Sequence, residues 1–244
     1  MDSRVPEIRK HLKKKLDAYR YEHTLGVEFT CQALAMRYGY DLDKADLAGL
    51  LHDSAKRFEN PVMLQKCLAR GIPVTAEEER DPSLLHAKLG AWMAENKYGV
   101  DDPEILSAIT CHTTGKPGMS LLDKILYVAD YIEPRRSKAA NLTAMRKLAF
   151  IDLDEACLEI MESILVYLKS TGCQIDPMTE AACEDMRRVV SERKKETAGE
   201  ASAVTGITHQ DKEEQSVESV KRNGKTCSRG FGREKRRRCK NYRH

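Results

Sequence analysis

Residues 49–56 read GLLHDSAK, an apolar helical run that sets His52 and Asp53 side by side. A lone His-Asp pair is a weak motif, and its meaning depends on what else the chain brings to it. Outward from this stretch the i, i+3, i+4 recurrence of apolar residues continues to about Lys195, whereas alternation of β-branched and polar residues is nowhere sustained. The periodicity predicts an all-α body with helices over 5–18, 21–38, 43–55, 60–70, 83–98, 102–113, 119–132, 152–170 and 177–194. Tyr38-Gly39, Asn60-Pro61, Asp81-Pro82, Gly115 to Gly118 and Thr171-Gly172 punctuate these segments.

Hydrophobic residues make up 41% of the 244 and charged residues 32%, which suits one substantial globular domain with an appendage. No apolar stretch approaches the roughly 20 residues that span a bilayer. The first residues, MDSRVPEIRKHLKKKLD, lack the apolar region of a secretory signal, so a cytoplasmic location is expected. Eight cysteines, with no C-x-x-C spacing, read as neutral thiols rather than disulfides. From Thr197 onward twelve Lys or Arg face six Asp or Glu, which leaves 29 basic and 32 acidic residues before it. The body is therefore mildly acidic and gives no argument for nucleic-acid binding. Residues 197–244 lose the apolar periodicity and finish in RGFGREKRRRCKNYRH, so they are expected to form a disordered basic tail, separate from a domain over 1–196.

Of seven histidines, His11 lies in the charged first helix and His209 and His244 in the tail. The other four, His23, His52, His86 and His112, sit in the apolar contexts YEHTLGV, GLLHDSA, LLHAKLGA and AITCHTTG. Singly, each is more often a satisfied core histidine than a ligand. Together they favour a shared cation, because burying several imidazoles without partners is costly. Asp53 and Asp130, the latter in the apolar run KILYVADYIEP, add carboxylates, although Asp130 taken alone reads as a helix-end residue paired with Arg135 or Arg136. Lys56 lies one turn beyond His52-Asp53, and Arg20 and Arg136 are further candidates for gripping phosphate. Thr113, Thr114 and Gly115 offer hydroxyls and backbone N–H groups to an oxyanion, or simply stop a helix. Tyr21, Trp92 and Tyr127 read as core aromatics.

The order His23, His52-Asp53, Asp130 resembles the HD-domain metal-dependent phosphohydrolases. RYEHTLGV, ADLAGLLHDSAK, His86 ahead of GAWM, HTTG and YVADYIEPRR further resemble the bacterial YqeK family of symmetrical diadenosine tetraphosphate hydrolases, over residues 5–194. After EPRR the chain continues SKAAN where that family leads one to expect an aromatic.

The resemblance implies an HD-domain helical bundle that binds one or two divalent ions, iron first and Mn, Co or Zn as alternatives. His23, His52, Asp53 and Asp130 are the implied ligands, with His86 and His112 either holding a second ion or binding phosphate. The implied reaction is attack of metal-activated hydroxide on a dinucleoside polyphosphate, giving two ADP. Asp53, Lys56, His86 and His112 take part in catalysis in this reading. Arg20, Lys56, His86, His112, Thr113, Thr114, Asp130 and Arg136 contact substrate. A homodimer is compatible with the family. The alternatives are another HD-type nucleotide phosphohydrolase, or a non-catalytic nucleotide sensor that contacts nucleic acid weakly through Lys235 to Arg238 of the tail.

Overall fold

The computed structural model describes residues 2–173 and 175–214, and among these every regular element is a helix. The order is α1 (Val5–Lys15), α2 (Ala18–Tyr38), α3 (Leu42–Leu51), α4 (Asn60–Leu68), α5 (Ala76–Arg80), a 3-10 turn (Pro82–Leu84), α6 (Leu85–Tyr98), α7 (Pro103–Cys111), α8 (Leu121–Ile132), α9 (Leu142–Leu148), α10 (Leu153–Thr171) and α11 (Pro177–Glu214). Side chains of Asp17, Asp41, Asp102 and Asp152 accept from the first-turn amides of α2, α3, α7 and α10. Ser120 with Asp123, and Thr75 with Glu78, close capping boxes on α8 and α5. Gly39, Gly99 and Gly172 end α2, α6 and α10 in the left-handed conformation.

Three departures from the sequence reading have plain causes. Helices α5 and α9, of five and seven residues, are too short to present an apolar stripe, and periodicity misses them. Helix α3 stops at Leu51 rather than 55, and residues 52–57 follow as tight turns, with the amide of Ser54 donating to the carbonyl of Leu51 (3.1 Å) and that of Lys56 to the carbonyl of Asp53 (2.9 Å). Helix α11 continues past the expected end at 194 to Glu214. Residues 215–244, which hold the rest of the expected disordered tail and its Lys235 to Arg238 run, lie outside the described residues.

Residues 1–195 form one compact unit. At its centre α8 packs against α2, α3, α7 and α10, and buries Leu122, Ile125, Leu126, Val128 and Ala129 completely. Each of the larger side chains contributes about 2 kcal/mol of transfer free energy. A smaller cluster, Met63, Cys67, Leu85, Leu89 and Met93, joins α4 to α6. Cys31, Cys67, Cys111, Cys157, Cys173 and Cys183 are free thiols, and only Cys173 is exposed. No helix among the described residues is long and apolar enough to cross a membrane.

Helices α2 and α3 approach so closely that a Cβ on Gly49 would lie 2.7 Å from the Glu28 Cα. Only glycine fits there. This contact brings the end of α3, and with it His52, against α2 and α8.

Candidate metal centre

His23 and His86 lie on α2 and α6, and His52 and His112 just past the ends of α3 and α7; three of the four are oriented by one device. Nδ1 of His52 donates to the carbonyl of Gly49 (2.7 Å), that of His86 to Ser83 (2.6 Å) and that of His112 to Ile109 (2.7 Å), each three residues back along the chain. A carbonyl can only accept, so Nδ1 carries the hydrogen and the neutral ring presents Nε2 as a lone pair. His23, on α2, instead sets Nδ1 3.2 Å from Oε1 of Glu133.

The four Nε2 atoms face Asp53 from two sides. Asp53 Oδ2 lies 3.5 Å from His52 Nε2 and 3.8 Å from His23 Nε2, while Oδ1 lies 3.5 Å from His86 Nε2 and 3.8 Å from His112 Nε2. Asp130 Oδ1 is 3.1 Å from His23 Nε2. Ligand atoms of His23, His52 and Asp130, and likewise of His52, Asp53 and His112, fall within 4.8 Å of one another. His52 is fully buried and Asp53 is 2% exposed.

This arrangement fits a cation on its own evidence. Nε2 of His23 and of His52 is buried without a hydrogen-bond partner, which is costly unless something else satisfies it. Nε2 of His86 stands 3.1 Å from Nε2 of His112 with both Nδ1 hydrogens already committed, so two lone pairs face each other. Thr113 Oγ1, 3.2 and 3.3 Å from these two atoms, has one hydrogen and can satisfy only one of them. Imidazole and carboxylate donors without thiolate suit Fe, Mn, Co or Zn.

The electrostatics agree. Burial, then His112, pushes His86 down to about 3, and burial with His52 lowers His112, so both rings stay neutral as ligands must. Burial opposes ionisation of Asp53 and Asp130, yet neighbouring imidazoles, and Arg136 beside Asp130, hold both carboxyls well below the usual range. Burial likewise opposes charge on His52, but Asp53 outweighs it and raises His52, a sign that the centre favours positive charge.

The remaining expected residues divide into two groups. Arg20 Nη1 donates to Asp53 Oδ2 (2.7 Å), and Arg136 Nη2 to Asp130 Oδ1 (2.9 Å), so both arginines hold carboxylates of the centre. The side chain of Lys56 makes no hydrogen bond or ion pair among the described residues, and its pKa is lowered by burial against the pull of Asp53. A cavity of about 1210 Å³ opens beside the centre, walled by His112, Thr113, Thr114, Asp130 and Arg136 and reaching Tyr167 on α10. Arg20 and Lys56 lie outside that wall. Tyr127 is buried in the main core and also lines the cavity, Tyr21 packs against that core, and Trp92 packs against the smaller cluster. Glu133 and Arg146 escaped the sequence reading. Glu133 stands three residues after Asp130, at the end of the same helical run, and that spacing was the available signal.

A sequence model of the HD domain matches residues 20–135, the span that holds all four histidines, Asp53 and Asp130. The symmetrical bis(5'-nucleosyl)-tetraphosphatase of Bacillus subtilis is 39% identical over 168 residues, which cover 69% of this chain and 89% of that protein. The chain belongs to the HD-domain family of symmetrical bis(5'-nucleosyl)-tetraphosphatases. Another protein of the same description, from Halalkalibacterium halodurans, is 37% identical over 70% of this chain and 90% of its own length. The crystal structure of a predicted HD superfamily hydrolase involved in NAD metabolism, from Clostridium acetobutylicum, superposes with a TM-score of 0.73 at 37% identity, covering 75% of this chain and 96% of that one. Membership in the HD-domain family implies divalent-metal binding, in keeping with the His and Asp clusters.

Proposed function

We propose that this chain hydrolyses diadenosine tetraphosphate symmetrically, breaking the bridge between the two inner phosphates to give two ADP. The observation that carries the reading is the single carboxylate of Asp53 set between two imidazole pairs, in a chain that spans 89% of a relative named for that reaction. His23, His52, Asp53 and Asp130 would hold one divalent ion. The opposed lone pairs of His86 and His112 favour a second ion, which these two residues and Asp53 would hold. Iron is the ion we assign, and the same donors accommodate Mn, Co or Zn. A bound ion of this kind supplies a water acidified toward neutral pH and a counter-charge for phosphate.

The protein's own groups do the rest. Lys56, whose side chain makes no ion pair among the described residues, neutralises charge that develops on the phosphates. Arg20 and Arg136 hold Asp53 and Asp130, and in this reading their remaining N–H groups donate to phosphate oxygens. Thr113 and Thr114 line the cavity, where Thr113 donates to a phosphate oxygen and the far wall receives one nucleoside. The catalytic unit is residues 1–196, active in the cytoplasm, and the tail is dispensable.

Metal analysis of His86→Ala and His112→Ala tests the second ion. Each is expected to lose about one ion per chain and to cut kcat by orders of magnitude. Unchanged metal content with weaker ADP binding, by the roughly 1.5–3 kcal/mol of a charged hydrogen bond, would assign these rings to phosphate instead. Unchanged metal, affinity and turnover would leave both as core histidines.

A further inference from the structure

His23 is the one histidine of the centre whose Nδ1 faces a carboxylate instead of a backbone carbonyl, and it is bracketed. Glu133 Oε1 lies 3.2 Å from Nδ1 on one side of the ring, and Asp130 Oδ1 lies 3.1 Å from Nε2 on the other. The ring's hydrogen therefore has two competing acceptors. On Nδ1 it leaves Nε2 free to bind a cation, whereas on Nε2 it would block the ligand atom and turn it toward Asp130. Glu133 is built to win that competition. It is 1% exposed, and its Oε2 accepts from the Arg135 amide at 2.7 Å, which anchors the carboxylate. The turn that carries it is clamped by Arg146, whose guanidinium donates to the carbonyls of Ile132 (2.9 Å), Glu133 (2.7 Å) and Arg136 (2.8 Å). Room for the carboxylate comes from Gly26, where a Cβ would stand 2.6 Å from Glu133 Oε2.

We propose that Glu133 is a positioning residue: its carboxylate keeps the hydrogen of His23 on Nδ1, fixes Nε2 as the metal ligand, and depends on Gly26 for its place. The Arg146 clamp makes this a device of the whole 132–136 turn, because the same segment brings Arg136 onto Asp130. A carboxylate behind a ligating imidazole also raises the basicity of the ligand, and losing such a partner typically costs 10–100-fold in metal affinity.

The inference rests on the metal reading above, and its test separates the two. Mn²⁺ affinity would be measured calorimetrically on metal-free wild type, Glu133→Ala, Glu133→Gln and Gly26→Ala, together with the melting temperature of each metal-free protein. The imidazole ¹⁵N shifts of His23 would be recorded on the same samples. We expect roughly 10–100-fold weaker Mn²⁺ binding in Glu133→Ala and Gly26→Ala. Glu133→Gln, which retains an acceptor oxygen without the charge, should fall between them and wild type. The ¹⁵N shifts should show Nδ1 protonated in wild type and the hydrogen moved to Nε2 in Glu133→Ala. Wild-type affinity in both Glu133→Ala and Gly26→Ala, or an unmoved hydrogen in Glu133→Ala, would overturn the proposal. So would an affinity loss that merely follows a fall in metal-free melting temperature and is not eased by glutamine. If wild type itself binds no Mn²⁺, the metal reading fails, while the ¹⁵N comparison still decides what Glu133 does to His23.

Discussion

Asp53 is the one side chain that every imidazole of the centre meets, with His23 and His52 facing one oxygen and His86 and His112 the other. Asp53→Ala should therefore release bound metal and lower kcat by at least about a thousandfold, as read by metal analysis and a dinucleotide assay. Full activity in that variant would remove the basis of the mechanism. Lys56→Ala should behave differently, because the Lys56 side chain makes no hydrogen bond or ion pair with a ligand: metal content stays at the wild-type level while kcat falls about 10–100-fold. A proportional loss of metal would show that Lys56 supports the centre and does not act on phosphate. At this scale the types of residue were legible, since four histidines and two aspartates in apolar runs stand out. Their orientation was not. A continuous helix through Ala55 would splay His52 and Asp53 by about 100°, and it is the tight turns after Leu51 that let both side chains face one centre. The arginines were assigned to phosphate from their places beside the motifs; the pairing of Arg136 with Asp130 was one reading open in the sequence, whereas that of Arg20 with Asp53, 33 residues apart, could not be read from chain order.

Helices α2 and α3 bring His23 and the His52-Asp53 turn to the centre, and their contact is as close as backbone permits at Gly49. Gly49→Ala should cost about 2–3 kcal/mol, because its clash is with backbone and cannot be relieved by a rotamer change. It should weaken metal binding as well, since the Gly49 carbonyl orients His52. A thermal melt and a metal titration check both, and an unshifted melt would show that the helices part freely. Beside this contact Arg9, from α1, bonds both oxygens of buried Glu28 (2.9 and 3.1 Å), and Gln32 donates to Asp46 at 2.6 Å. Burial, then the neighbouring Asp46, pushes Glu28 up to about 8 against the pull of Arg9. Between its ordinary value near 4.5 and about 8 the folded carboxyl keeps a proton that the unfolded chain has lost, so stability is fully present below that window and declines as pH rises through it. The decline is at most about 1.4 kcal/mol per pH unit from this group. His86 and His112, both lowered, act in the opposite direction up to the ordinary histidine range, so the contribution is read as a difference: the melting temperature of the metal-free wild type relative to Glu28→Gln should fall from pH 5 to pH 8. Equal slopes would place the effect elsewhere. Sequence periodicity located both helices, but it does not report which glycine lies at a helix crossing or that Glu28 meets Asp46.

Over the whole chain, fold and family were legible because capping residues mark the starts of α2, α3, α7, α8 and α10, and because the ligands fall in five separate motifs in order. What lay beyond reading were short elements without a stripe, such as α5 and α9, and the continuation of α11 to Glu214. The matched family span ends at residue 135, and every side chain assigned to the centre lies within the compact unit 1–195. A chain ended after residue 196 should therefore turn over substrate at the rate of the full chain to within about twofold, and a large loss would give the basic tail a part in the chemistry. The central claim is the position of the cut, and it is tested by separating the nucleotide products of diadenosine tetraphosphate after digestion with the metal-loaded chain. ADP should be the sole nucleotide product, two per substrate consumed. Equal amounts of ATP and AMP, or intact substrate in the presence of a fully metal-loaded protein, would contradict it.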